Sequence, residues 1–268
     1  MSRTEGLVLS GRFYPPRQEP AAVPLVLLHG LFGAHANLGV LARGLSERHP
    51  VLALDLRNHG DSPWAEDMSL PALAADLAAT LDARGWPAAA LVGHSLGGKA
   101  AMQFALDAPQ RCLALAVLDI AARSYPPRHQ RIFAAIEALA SNPPDSRQAA
   151  DARIAEWIPE PAVRQFLLAN LRREADGRLR WRFNAEALRA GYAALSAAPQ
   201  GDTPYPGPAL FLRGSRSDYV RDEDIPALRR LFPQARVETV DAGHWLHADA
   251  PQAVLDHLRR FFAALGPA

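Results

Sequence analysis

A single cysteine, Cys112, stands among the 268 residues, so no internal disulfide can staple the fold, and a reduced, cytoplasmic setting is expected. With no second cysteine to accompany it, Cys112 reads as a small core residue. Long hydrophobic runs are missing too. None approaches the roughly 20 apolar residues that span a bilayer, which excludes a membrane-spanning helix. The opening MSRTEGLVLSGRFYPP lacks an apolar core of signal-peptide length, and no export signal is expected. Charge of one sign is equally scarce: 29 Lys and Arg face 28 Asp and Glu, with no basic or acidic block. That balance argues against nucleic acid or an acidic membrane surface as partner. What the chain has in quantity is apolar residues, at 49%, enough to bury a full core as one domain or as one domain carrying an insertion.

The most informative stretch is Ala88 to Lys99, AAALVGHSLGGK, in which Gly93 to Gly97 spell GxSxG. A short apolar run enters it and an Ala-rich amphipathic segment leaves it, so it reads as strand, sharp turn and helix. A serine at such a turn is pushed into a strained backbone conformation, and side chains at positions 93 or 97 would collide with the adjoining strand and helix. The Ser95 hydroxyl then projects above the sheet. The Leu96 amide sits at a helix start, where free donors and the helix dipole favour negative charge.

Around this turn the chain alternates strand and helix. Gly6 to Tyr14 alternates loosely and reads as an edge strand; Leu25 to Leu28, Val51 to Leu54 and the 88–93 run read as buried parallel strands. Leu38 to Arg48 and Ser69 to Arg84 carry helical spacing, with Ser69 and Pro71 suiting a helix start. The polar turn Asp55 to Ser62, DLRNHGDS, is expected near the mouth of a pocket, tied down by hydrogen bonds from Asp55 and Arg57. Cys112 to Ile120 is a further buried strand that delivers Asp119 at its C-terminal end, the edge where α/β folds place ligands. A carboxylate there needs a donor or a charge to meet it.

From Ala121 to Pro208 no strand run appears. Helical pieces near 131–140, 146–157, 162–173 and 184–195 are long enough to form a cap over the site. Its aromatics, Tyr125, Phe133, Trp157, Phe166, Trp181, Phe183 and Tyr192, are expected to build the cap core, with a few walling an apolar pocket. The sheet resumes at Ala209 to Leu212, followed by a helix over 221–232, a last strand over 236–240 and a closing helix over 251–264. The expected fold is therefore a doubly wound, mostly parallel α/β sheet formed by 1–120 and 209–268, with a helical cap inserted over 121–208.

Four motifs in this order, HGLFG after a buried strand, RNHGDS, GHSLGG and DAGHW, resemble the α/β-hydrolase superfamily. HGLFG followed by NLGVLA, GHSLGGKA, LDIA, IFAAIEAL, WRFN and AGHWLHAD are closer still to the small bacterial YbfF-type esterases, over residues 25 to the C-terminus. The resemblance implies a capped serine esterase with a Ser, acid and His triad, no metal and no cofactor. Its substrate would be a small-molecule acyl ester of short to medium chain, or a thioester. Ser95 would attack, and the loop after Leu28 would supply a second oxyanion donor, by position Leu31, beside Leu96. Of the nine histidines only His244, His247 and His257 follow the last strands. His244, in the Gly-containing loop itself, is the expected base, since His247 is turning into helix and His257 lies within one.

The acid is left between two positions. The superfamily pattern favours Asp218; the YbfF-like pattern matches Asp119, with Ser217 helping to hold the histidine. Either carboxylate would fix the imidazole tautomer and stabilise the imidazolium. The same triad supports thioesterase, perhydrolase or C–C hydrolase chemistry, and the scaffold also serves small-ligand-binding proteins, which often lose a triad member. Dehalogenases and epoxide hydrolases resemble this fold but place Asp where Ser95 stands.

Overall fold

The computed structural model describes residues 5–18 and 23–265. Positions 1–4 and 266–268, where the expected core range and the N-terminal reading begin or end, lie outside the described residues. Nine strands and eleven α-helices are found among the described residues: β1 (Gly11–Tyr14), β2 (Leu25–Leu28), α1 (Gly39–Leu45), β3 (Val51–Leu54), α2 (Leu70–Ala83), β4 (Ala89–His94), α3 (Leu96–Asp107) and β5 (Cys112–Leu118) come first. Then follow α4 (Gln130–Ser141), α5 (Arg147–Ile154), α6 (Pro161–Leu168), β6 (Leu171–Arg173), β7 (Leu179–Trp181), α7 (Ala185–Ala190) and α8 (Tyr192–Ser196). The chain closes with β8 (Ala209–Gly214), α9 (Ile225–Leu231), β9 (Ala235–Val240), α10 (Leu246–Asp249) and α11 (Pro251–Ala263).

Seven strands make one sheet in the order β1-β3-β2-β4-β5-β8-β9. All neighbours are parallel except β1, which pairs antiparallel with β3 at the edge. The burial of the strands explains their sequences. β2, β3 and β4 are buried at every position, because helices cover both faces, so apolar residues run without alternation. On one face α2 and α3 pack through Leu73, Leu77, Met102 and Phe104; on the other, Leu41 of α1 meets Leu255, Leu258 and Phe262 of α11. Cys112 is buried and its thiol is pushed up to about 12 by that burial, which fits a packing residue.

Local chemistry sets the element ends. The Ser69 hydroxyl accepts from the Ala72 amide at 3.3 Å at the start of α2, with Pro71 in the first turn. The strand expected over 6–14 is confined to β1. Upstream of it, the Leu7 and Leu9 amides donate to Asp76 Oδ1 (2.6 Å) and Thr80 Oγ1 (2.9 Å) of α2, so this backbone is satisfied by a helix surface instead of by a partner strand. The helices expected over 38–48 and 221–232 each open with a single 3₁₀ turn, His35–Leu38 and Asp222–Asp224.

The segment between β5 and β8 holds α4 to α8 and, against expectation, a strand pair. The helix expected over 162–173 ends at Leu168, and β6 pairs antiparallel with β7. Gly177, at φ 80°, makes the turn between them, as an Asp-Gly pair favours. Each strand is three residues long and rich in arginine, too short and too polar to carry a period-2 signal. The helix expected over 184–195 is broken into α7 and α8 at Gly191.

Candidate active site

Ser95 lies between β4 and α3 with φ 51° and ψ −116°, a strained conformation for a residue with a side chain. Its amide donates to the Leu118 carbonyl at 3.0 Å, pinning the turn to the neighbouring strand. The flanking glycines are required by space: a Cβ at Gly93 would lie 2.3 Å from the Gly97 carbonyl oxygen, and one at Gly97 2.3 Å from that of Leu28.

The loop after β9 brings His244 to this turn. Its Nε2 lies 3.1 Å from Ser95 Oγ and its Nδ1 2.8 Å from Asp119 Oδ2. A carboxylate only accepts, so the partners assign the proton to Nδ1 and leave Nε2 to accept from the serine hydroxyl. Asp119 is fully buried at the end of β5, with φ 52°. The desolvation of its carboxylate is met by three donors: the ring of His244, the Gly214 amide at 2.8 Å and the Ser217 hydroxyl.

The expected residues therefore separate. Ser95, His244 and Asp119 come together in a chain of two hydrogen bonds, and Ser217 reaches the carboxylate, not the imidazole. Asp218, the alternative acid, is not brought to the ring: its side chain is 60% exposed and forks onto Arg128 at 2.8 and 2.9 Å. His247 lies in α10 and His257 in α11, as expected of histidines outside the loop.

Two positions that the sequence did not single out hold His244 in place. The Tyr219 ring stacks on it, with centroids 3.8 Å apart and 15° between planes, and the Tyr125 hydroxyl donates to the Tyr219 carbonyl at 2.5 Å. Behind the serine, His94 Nε2 donates to the His244 carbonyl at 2.9 Å. Burial, with His247 and His244 close by, holds the His94 ring well below the ordinary imidazole value, so it stays neutral. The only sequence signal for either was adjacency to a candidate: Tyr219 follows Ser217-Asp218, and His94 precedes Ser95.

Leu96 is the first residue of α3, whose opening amides have no partner within the helix. Opposite, the loop carrying Leu31 is braced to the Asp55–Ser62 turn by two histidines used reciprocally. His29 Nδ1 donates to the Gly30 carbonyl (2.7 Å) while its Nε2 accepts from the Leu56 amide (3.0 Å). His59 Nδ1 donates to the Arg57 carbonyl (2.9 Å) while its Nε2 accepts from the Phe32 amide (3.1 Å). Each ring can do both only when neutral. Burial lowers the pKa of His29, and burial with His29 nearby lowers that of His59 to about 3. Arg57, as expected, ties the same turn down: its guanidinium forks onto Asp76 of α2 at 2.6 Å on both arms, and the pair is buried.

Ser95 opens onto a cavity of about 410 Å³. The sheet side contributes His244 and Trp245, and the 121–208 segment contributes His129, Ile132, Val163 and Phe166. Of the expected pocket aromatics, Phe166 lines this cavity, and Tyr125 and Tyr192 line a smaller one beside it. Phe133 and Phe183 pack against Phe32, and Trp181 stacks on Phe183 at 5.0 Å.

A parallel sheet with a serine on a strained turn at its C-terminal edge, and an imidazole in hydrogen-bond reach, defines the α/β hydrolases. The comparisons agree: residues 23–251 match the model of the α/β-hydrolase fold family, and the chain belongs to it. It is 43% identical to Esterase YbfF of Escherichia coli, over 89% of this chain and 92% of that protein. It is 41% identical to the sn-1-specific diacylglycerol lipase ABHD11 of Mus musculus, over 89% and 80%. Among solved structures, a marine microorganism esterase superposes with a TM-score of 0.90 at 34% identity, covering 96% of this chain and all of that one. No helix of the described residues is long and apolar enough to cross a membrane.

Proposed function

We propose that the chain is a serine hydrolase that cleaves carboxylic acyl esters of small molecules through an acyl-enzyme at Ser95, with His244 as base and Asp119 as the acid. The observation that carries this reading is the pair of hydrogen bonds, Ser95 Oγ to His244 Nε2 at 3.1 Å and His244 Nδ1 to Asp119 at 2.8 Å, set at the mouth of an apolar cavity. Relatives named esterase and lipase support it.

In the proposed reaction the Ser95 hydroxyl passes its proton to His244 Nε2 as Oγ bonds to the ester carbon. The carbonyl electrons move onto oxygen, where the Leu31 and Leu96 amides receive the charge. Asp119 stabilises the imidazolium through Nδ1. Collapse of the intermediate breaks the bond to the alkoxy oxygen, which leaves with the proton from Nε2. Water, deprotonated by the same nitrogen, then releases the acid and restores Ser95. The 121–208 segment acts as the cap that excludes bulk water from this exchange. Ser217 supports the acid from behind, and Asp218 takes no part.

The test is covalent. A fluorophosphonate probe is expected to label Ser95, mapped by peptide mass, and Ser95→Ala is expected to lose labelling and to lower p-nitrophenyl ester turnover by about 10⁴-fold or more. An unlabelled protein, or a Ser95→Ala variant with wild-type turnover, overturns the reading.

A further inference from the structure

Resting on the ester-hydrolase reading, we infer that the site is divided by limb, so that the acyl group occupies a small compartment and the alcohol group the large apolar one. The favoured substrates are then esters of a short, uncharged acyl group with a bulky apolar alcohol.

Two cavities meet at Ser95 and Leu31. One measures about 410 Å³ and the other about 50 Å³. A cavity needs roughly 10–15 Å³ by this measure to seat one water-sized group, so the small one takes an acyl limb of a few heavy atoms. Which limb goes where follows from the proton. The leaving oxygen must take it from His244 Nε2, so the alcohol limb has to depart on the side where His244 stands. His244, Gly243 and Trp245 line the large cavity, and none of them lines the small one. The small cavity lies instead against Leu96, the proposed oxyanion donor, and is walled by Ile120, Tyr192 and Leu195. An acyl chain directed there leaves the carbonyl oxygen towards the amides and the alkoxy oxygen towards the imidazole.

The small cavity also favours acyl groups without charge. Two cations stand at its wall, and both are engaged. Lys99 Nζ donates to the Ser196 and Ala197 carbonyls at 2.7 and 2.5 Å, and Arg128 is forked onto Asp218. The large cavity, walled by Ile132, Val163, Phe166 and Leu167, suits a long or branched hydrocarbon.

Octyl acetate and ethyl octanoate test the division, because they are isomers that differ only in which limb is long. The wild-type protein is expected to hydrolyse octyl acetate with a kcat/KM at least about tenfold higher, the order of discrimination a misfitting apolar limb produces. Leu195→Ala, which opens the small compartment, is expected to move that ratio towards one. A wild-type ratio of one or below overturns the inference whether or not the variant folds. If Ser95 labels with fluorophosphonate and both isomers turn over equally, only the division fails. If Ser95 neither labels nor hydrolyses either isomer, the ester-hydrolase reading fails and the division with it.

Discussion

At the scale of single residues the site depends on which way two carboxylates point. Asp119 and Asp218 were both open from the sequence, because each follows a strand of the right kind and neighbouring residues do not say which side chain a turn directs inward. The difference between them lies in tertiary contacts: the Asp119 carboxylate meets His244 Nδ1 at 2.8 Å, whereas an arginine from the 121–208 segment draws Asp218 outward. Asp119→Asn is therefore expected to lower kcat by about 10⁴, as loss of the correct tautomer does in other triads. Asp218→Asn removes an exposed ion pair of little value and is expected to leave kcat within a few-fold of wild type. Steady-state hydrolysis of one p-nitrophenyl ester by both variants decides this, and equal losses would place the acid elsewhere. Ser95 and His244 were legible because their surroundings are local, a strand-turn-helix with glycines and a Gly-containing loop after the final strand. His59 was legible only as part of a polar turn. Its bond to the Phe32 amide sets the loop that carries Leu31, the proposed oxyanion donor, and small displacements of such a donor are costly. His59→Leu is expected to lower kcat by about 10² with little change in KM. His59→Gln, which keeps an acceptor near the Nε2 position, should recover part of the loss, and a matching rise in KM would argue against a positioning role.

At the scale of elements, legibility followed length and polarity. β2 to β5 announce themselves as unbroken apolar runs because both faces of the sheet are covered; β6 and β7 do not, since three-residue strands that carry Arg172, Arg173 and Arg180 look like any polar loop. The helix ends were blurred by 3₁₀ turns whose hydrogen bonds leave no periodic mark. Arg57 and Asp76 join two consecutive elements, the Asp55–Ser62 turn and α2, through a buried bidentate pair. Burying a charge pair contributes little on its own, but removing one partner strands the other. Asp76→Asn is expected to cost about 3–5 kcal/mol in urea unfolding. The double variant Asp76→Leu with Arg57→Met is expected to regain part of that, which a merely additive pair of losses would not allow.

At the scale of the whole molecule, imidazoles held away from water make folding depend on pH. Burial holds His59 at about 3, and His129 and His247 at about 4, against about 6.5 for an unfolded histidine. Between those limits the unfolded chain binds protons that the folded chain does not, so stability is fully present above about pH 6.5 and falls as the pH drops towards the folded values. Going from pH 7 to pH 5 is expected to cost about 2 kcal/mol through the fully buried His59. His129 and His247, which keep part of their surface in water, should add less. Paired carboxylates titrate lower, near 4 and below, so a loss of stability that begins above pH 5.5 belongs to the histidines. Urea midpoints at pH 7 and pH 5 measure it. In His59→Gln the difference between the two midpoints should shrink by close to one proton's share of the slope, whatever the substitution costs at pH 7. An unchanged slope in that variant would mean that the His59 ring takes up its proton as readily in the folded chain as in the unfolded one. The reciprocal brace could not then exist as described, because a charged His59 has no lone pair to offer the Phe32 amide.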